Sequence, residues 1–269
     1  MNILEEIIAH KKKEVAERKE AVSIKALEFS PYFDSRCTSA RAEILDPMKS
    51  GIIAEFKRKS PSKGIINDKA KVQDVVKRYK GAGVSAVSVL TDSKYFGGDN
   101  DDLIRAREAV RIPILRKDFI VDEYQLIEAK SIGADFILLI AAALTSKEVD
   151  SLSKFAKALG LEVLMEVHSK KELDANLFES IDLIGINNRN LKTFETTIET
   201  SLQLVDLIPD EFVKISESGI SKPETIVELK STGFHGFLIG ENFMASDDPG
   251  KSCMEFIEKL SSVEKMVNL

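Results

Sequence analysis

Phe136-Ile137-Leu138-Leu139-Ile140 is apolar at every position. Successive side chains of a strand point to opposite faces, so a strand over these residues needs apolar cover on both sides. Parallel strands covered by helices meet that need, and half-exposed antiparallel strands do not. With the flanking residue the run spans 135 to 140, and comparable runs lie near residues 51 to 57, 85 to 90, 112 to 117, 161 to 166, 182 to 187, 212 to 217 and 236 to 240. Their spacing of roughly 20 to 35 residues is what results when about 250 residues are divided among eight strand-helix pairs.

Helical segments with readable ends lie between the runs. Thr145-Ser146-Lys147-Glu148, Ser169-Lys170-Lys171-Glu172 and Ser221-Lys222-Pro223-Glu224 match the capping box, in which the first side chain and the Glu three residues later satisfy free backbone N–H groups. Val72, Val75, Val76 and Tyr79 form one apolar stripe, ended by Gly81-Ala82-Gly83, and Gly133 and Gly160 close two later helices. No Gly-x-Gly-x-x-Gly follows the first run, so the alternation favours a closed barrel over an open doubly wound sheet. The expected fold is α/β, a single (β/α)8 TIM barrel with an extra N-terminal amphipathic helix. One domain over 1–269 is expected, with 1–50 as a helical extension and 51–269 as the barrel.

In that extension, residues 2 to 20 place Ile3, Leu4, Ile7, Ile8 and Val15 on one face. The Lys11-Lys12-Lys13 run is balanced by Glu5, Glu6, Glu14 and Glu17, which reads as a solvated face. A formal charge of -6 over 269 residues argues against a nucleic-acid surface, which needs clustered positive charge. Cys37 and Cys253 lack a CxxC partner and fit reduced thiols. The start of the chain lacks a signal-peptide profile, and no apolar run reaches a membrane span of about 18 residues, so a cytoplasmic protein without membrane partners is expected. His10, His168 and His235 sit singly, without HxH or HExxH spacing, so no catalytic metal is expected.

The active site of such a barrel lies at the C-terminal ends of its strands. Glu55 and Lys57 at the first strand end share one face by the period of two. Lys117, Glu166, Asn187, Arg189 and Glu217 occur at or just past later strand ends. Singly, each is as well explained by a structural ion pair. Together, three carboxylates and two lysines have a large desolvation cost unless paired, and such a cluster shifts pKa values toward neutrality. Gly219 and Gly240, after strands 7 and 8, suit a phosphate held by backbone N–H groups, with Lys57 and Ser60 approaching from strand 1. Phe96-Gly97-Gly98 suits either a flexible loop or a plain turn, and Leu115, Phe119, Leu138, Leu191 and Ile239 are candidates for an apolar wall.

As a set, Ile53 to Ser62, Phe96-Gly97-Gly98, Leu115-Arg116-Lys117-Asp118-Phe119, Glu166-Val167-His168, Ile186 to Leu191 and Ser216 to Ile220 closely resemble indole-3-glycerol-phosphate synthase. The resemblance runs in order from about residue 50 to residue 245, and the helix before the barrel resembles the family's N-terminal extension. It implies ring closure, decarboxylation and dehydration of 1-(2-carboxyphenylamino)-1-deoxyribulose 5-phosphate in tryptophan biosynthesis, by general acid-base catalysis and with no cofactor or metal. The class implied is a carboxy-lyase.

The resemblance also implies roles: Lys117 as acid at the ketone, Lys57 and Glu166 for dehydration, and Glu55 orienting Lys57. Glu217 and Asn187 would position the substrate and the departing hydroxyl, and Phe119 is a substrate-binding candidate. Arg189 would hold either the substrate carboxylate or Glu217. Ser218, Gly219, Gly240 and the backbone N–H of Glu241 would take the phosphate, and Ser60 is a further substrate-binding candidate. The chain is too short for a fused second barrel, so a monofunctional enzyme, monomeric or weakly homo-oligomeric, is expected. A Schiff-base aldolase and a non-catalytic phosphometabolite-binding barrel are the competing readings.

Overall fold

The computed structural model describes residues 3–190 and 193–267. Eight parallel strands close into a barrel: β1 (Ile52–Phe56), β2 (Ala86–Leu90), β3 (Ile114–Lys117), β4 (Phe136–Ile140), β5 (Glu162–Val167), β6 (Leu183–Asn187), β7 (Val213–Glu217) and β8 (Gly236–Ile239). Each pairs with its neighbours in chain order, and β1 closes the ring against β8 with Ile53 opposite Leu238. Every apolar run read from the sequence is one of these strands, with helices between them.

The period of two divides the side chains between two cores. Ile53, Leu115, Leu138, Leu164, Leu183, Ile215 and Leu238 fill the barrel interior. Ile52, Ala54, Phe56, Ile137, Leu139, Met165 and Ile184 pack outward with the helices. Inward alternation along β1 runs from Ile53 to Glu55 and then Lys57, so the interior changes from apolar to charged toward the C-terminal mouth. Ala40 and Ile44, on the short helix Ala40–Leu45, belong to the interior cluster, and Ile44 lies against Gly236 where β8 begins. The extension thus plugs the end of the barrel opposite the mouth.

Thr145 and Glu148 form the full capping box, with the Glu148 carboxylate accepting from Thr145 N–H at 2.7 Å. At Ser169 only half of it forms, because Glu172 turns to accept the N–H of His168 at 2.8 Å. The third expected box is displaced: the helix Pro223–Ser231 has Lys222, not Ser221, as its N-cap. Pro223 accounts for this, since its missing N–H and fixed φ suit the first helical position. Phe96-Gly97-Gly98 is a pinned turn. Asp92 caps the short helix Ser93–Phe96, Gly97 ends it at φ 66°, and a Cβ at Gly98 would lie 2.1 Å from the Leu90 carbonyl oxygen.

The N-terminal helix α1 (Ile3–Ala21) corrects one expectation. Lys11 is not on a solvated face but has no exposed side-chain surface, and its ammonium pairs with Asp92 and Asp118, each at 2.9 Å, and with Glu14 at 3.1 Å. It occupies the same buried stripe as Ile7 and Val15, one helical turn from each. Burial opposes its charge, but Asp118, Asp92 and Glu14 outweigh burial and raise its pKa. A charge is kept in such a place only with partners. Arg116 extends the network, reaching Asp118 and Glu128, and Glu128 also binds Arg18 of α1. No described helix is long and apolar enough to cross a membrane.

Candidate active site

Three carboxylates and two ammonium groups meet at the mouth because each is the inward residue at or just beyond the end of its strand. Lys57 Nζ lies 2.7 Å from Glu55. Lys117 Nζ lies 2.8 Å from Glu217 and 3.6 Å from Glu166. Two glycines make room for them. A Cβ at Gly185 would stand 2.2 Å from a Glu217 carboxylate oxygen, and one at Gly240 would stand 2.5 Å from a Glu55 oxygen. Gly185, inside β6, thus allows Glu217 to fold inward toward Lys117.

The charges are unequally satisfied. Burial disfavours the Lys117 ammonium, but Glu217, Glu166 and Glu55 outweigh it and hold the group protonated well above the ordinary lysine range. Burial would raise Glu55, yet Lys57 and Lys117 prevail and lower it. Glu217 goes the other way. Burial, reinforced by Glu166 and Glu55, pushes it up to about 7 against the pull of Lys117. One of its oxygens is buried without a hydrogen-bond partner among the described residues. A carboxyl group poised there can exchange a proton near neutral pH.

The charges line a cavity of about 150 Å³, with Phe96, Phe119, Leu138 and Leu238 as apolar wall and Ile3, Leu4 and Ile7 of α1 at its edge. A volume near 150 Å³ holds one benzene-sized ring. A second, wider lobe of about 580 Å³ shares Glu55, Lys57, Ser62, Arg189 and Ser218 with the first. Ser218 and Gly219 both turn the chain at positive φ, 68° and 77°, a conformation uncommon for serine. Asn188 pins that turn by donating to the Ser218 carbonyl at 3.1 Å and to Ser216 Oγ at 3.0 Å. Among the described residues, no group of three or more His, Cys, Asp or Glu side chains is disposed to hold a metal ion.

Every residue singled out in the sequence as catalytic or substrate-binding lines one lobe or both. Lys117, Glu166, Asn187, Glu217, Ser60 and Phe119 line the first, and Gly219, Gly240 and Glu241 the second. Some local expectations differ. Arg189 does not hold Glu217 but reaches Ser62 at 3.1 Å and Glu241 at 3.2 Å. Ser60 stays in the first lobe, while Ser62 and Lys63 line the second. Leu115 lies deeper in the core; Leu238 faces both lobes, while Ile239, turned outward by alternation from Gly236, lines only the second. Leu191 lies outside the described residues.

A family model for indole-3-glycerol phosphate synthase matches residues 4–256. The chain belongs to that family. An indole-3-glycerol phosphate synthase from Bacteroides thetaiotaomicron is 49% identical over 259 residues, covering 96% of this chain and 99% of that protein. Among solved structures, 3-hexulose-6-phosphate synthase from Salmonella typhimurium superposes with a TM-score of 0.62 at 12% identity, covering 79% of this chain and 99% of that one. A mutant tryptophan synthase alpha-subunit from Pyrococcus furiosus gives 0.59 at 14% identity, covering 80% and 99%. At such identities these two share the fold alone. In this member of the indole-3-glycerol phosphate synthase family, the matched segment contains the lining of both lobes apart from Ile3, and most of α1.

Proposed function

We propose that the protein is a carboxy-lyase converting 1-(2-carboxyphenylamino)-1-deoxyribulose 5-phosphate to indole-3-glycerol phosphate, carbon dioxide and water. The observation that carries this reading is the pairing of an aryl-sized apolar lobe with a wider lobe reached by Lys63 and Arg189, with the acid-base cluster on their shared wall. The substrate has the same order: ring, reacting carbons, phosphate. The domain expected from the sequence, a barrel over 51–269 behind a helical extension over 1–50, is part of this proposal.

In the first step the ring carbon bearing the carboxylate bonds to the sugar ketone carbon, and the ketone oxygen takes a proton from the Lys117 ammonium. Loss of carbon dioxide returns its bonding pair to the ring. Lys57 then protonates the departing hydroxyl and Glu166 accepts the proton released as the pyrrole double bond forms. Glu217 holds Lys117, Glu55 holds Lys57, and Asn187 orients the intermediate. Phe119 packs on the ring, and Arg189, Ser60, Ser218, Gly219, Gly240 and the Glu241 backbone face the anionic groups. Positioning and acid-base transfer together supply the rate.

A lysine held as ammonium by three carboxylates is a poor Schiff-base nucleophile, which counts against an aldolase. The chain has no Trp, so indole formation can be followed by fluorescence over a nearly dark protein. Rising indole emission on adding the substrate supports the proposal. Folded protein that leaves the substrate unchanged refutes it.

A further inference from the structure

We propose that His168 is a positioning residue for this reaction, a cation that holds the Glu166 carboxylate on the oxygen not facing Lys117. The inference rests on the function proposed above and deepens it. His168 directly follows β5 and does not line the cavity, so it acts on substrate only through Glu166. Each oxygen of Glu166 meets a different cationic group: Oε2 faces Lys117 at 3.6 Å, and Oε1 faces His168 Nε2 at 3.5 Å. The other ring nitrogen, Nδ1, lies 3.5 Å from Glu172. Glu172 is itself fixed, since it accepts the His168 backbone N–H at 2.8 Å.

The imidazole therefore sits between two carboxylates, with both ring nitrogens buried and neither in directed hydrogen-bond geometry. A neutral imidazole would present a lone pair to one of them, while the imidazolium offers N–H to both. The charged groups around it are Glu166 on β5, Glu172 on the following helix Lys170–Ala175 and Glu217 on β7, with Lys117 of β3 beyond Glu166. Burial opposes the charge on His168, but Glu172, Glu166 and Glu217 outweigh it and raise its pKa. The imidazolium attracts Glu166 Oε1 and so fixes the carboxylate that takes up a proton in the reaction. With Oε1 held, Glu166 stays further from Lys117 than Glu217 does and keeps lone pairs for the substrate.

The sign of the pH effect follows. The imidazolium is present at low pH and is lost as pH rises through its raised pKa. Its hold on Glu166 is lost with it, so His168 contributes an alkaline fall to kcat/KM. His168→Gln is expected to lower kcat at neutral pH by about 10-fold, to remove that alkaline fall, and to change KM little. Glu172→Gln moves the fall to lower pH, because the imidazolium loses its anchor. A purely structural role scales the whole profile and leaves its limbs in place, and that result overturns the proposal.

A second measurement does not depend on a variant that keeps its fold. Only His10, His168 and His235 occur in the chain, so an NMR titration of wild-type imidazoles resolves them. A midpoint for His168 above that of an exposed histidine supports the proposal, and one at or below it overturns it. If wild-type protein makes no indole product, the functional reading itself falls. If it turns over and the limbs of His168→Gln coincide with wild type, only the role of His168 falls.

Discussion

Two clusters of charge meet back to back at Lys117 and Asp118, and they differ in what surrounds them. On the inward side, Lys117, Glu217, Glu166, Glu55 and Lys57 stand around open space, with one Glu217 oxygen unpartnered among the described residues. On the outward side, Lys11, Asp92, Asp118, Arg116 and Glu128 pair closely with one another, only Asp118 of them touches the cavity lining, and Arg116 and Lys11 have no exposed side-chain surface. Both contain buried ion pairs, so burial of charge does not separate catalysis from scaffolding. Open space beside the charged groups does. The inward cluster can take a substrate and pass a proton, and the outward one ties α1 to the barrel behind β2 and β3.

The contrast can be broken from either side. Lys117→Ala should lower turnover by about 10²- to 10⁴-fold while far-UV circular dichroism stays that of wild type. Lys11→Met leaves Asp92 without its cation and Asp118 with Arg116 alone, and its urea unfolding should show a loss of about 3–5 kcal/mol. Turnover of its folded fraction should keep the wild-type order of magnitude.

Gly185→Ala tests the space itself. The new Cβ displaces Glu217 from Lys117, and steady-state turnover should fall by about 10- to 100-fold.

The smallest effect concerns pH. The folded-state pKa of Glu217, about 7, lies above that of an ordinary glutamate, so the folded form binds the proton more tightly. That contribution is full at acid pH and is lost as pH rises through about 7. Thermal midpoints of Glu217→Gln should therefore gain on wild type between acid and mildly alkaline pH, and a constant difference would contradict the assignment.

The strands were legible because parallel strands buried on both faces are continuous apolar runs, as at Phe136–Ile140. The acid-base residues were legible because the period of two carries inward alternation past the last apolar residue, from Ile53 through Glu55 to Lys57. Where the chain leaves the strand, that periodicity ends. It could not tell Ser60 from Ser62, or place Arg189 beside Glu241 instead of Glu217.

Lys11 was missed for a different reason. Asp92 and Asp118 come from distant strand ends and Glu14 sits a helical turn away, so single-residue spacing looks unremarkable. One local signal did exist for Lys11: Ile7, Lys11 and Val15 share one stripe of α1 at intervals of a full turn. Gly185 carried a signal too, as a glycine inside an otherwise apolar strand.

The most direct test is urea unfolding of Lys117→Ala and Lys11→Met side by side with wild type, at a pH near 7. The cavity around Lys117 admits water, and Glu217 can take a proton, so removing this ammonium leaves no trapped charge. Lys117→Ala is predicted to unfold within about 1 kcal/mol of wild type, while Lys11→Met loses several. Equal, large losses in both proteins would mean that the mouth cluster is structural, and would contradict the division between the two.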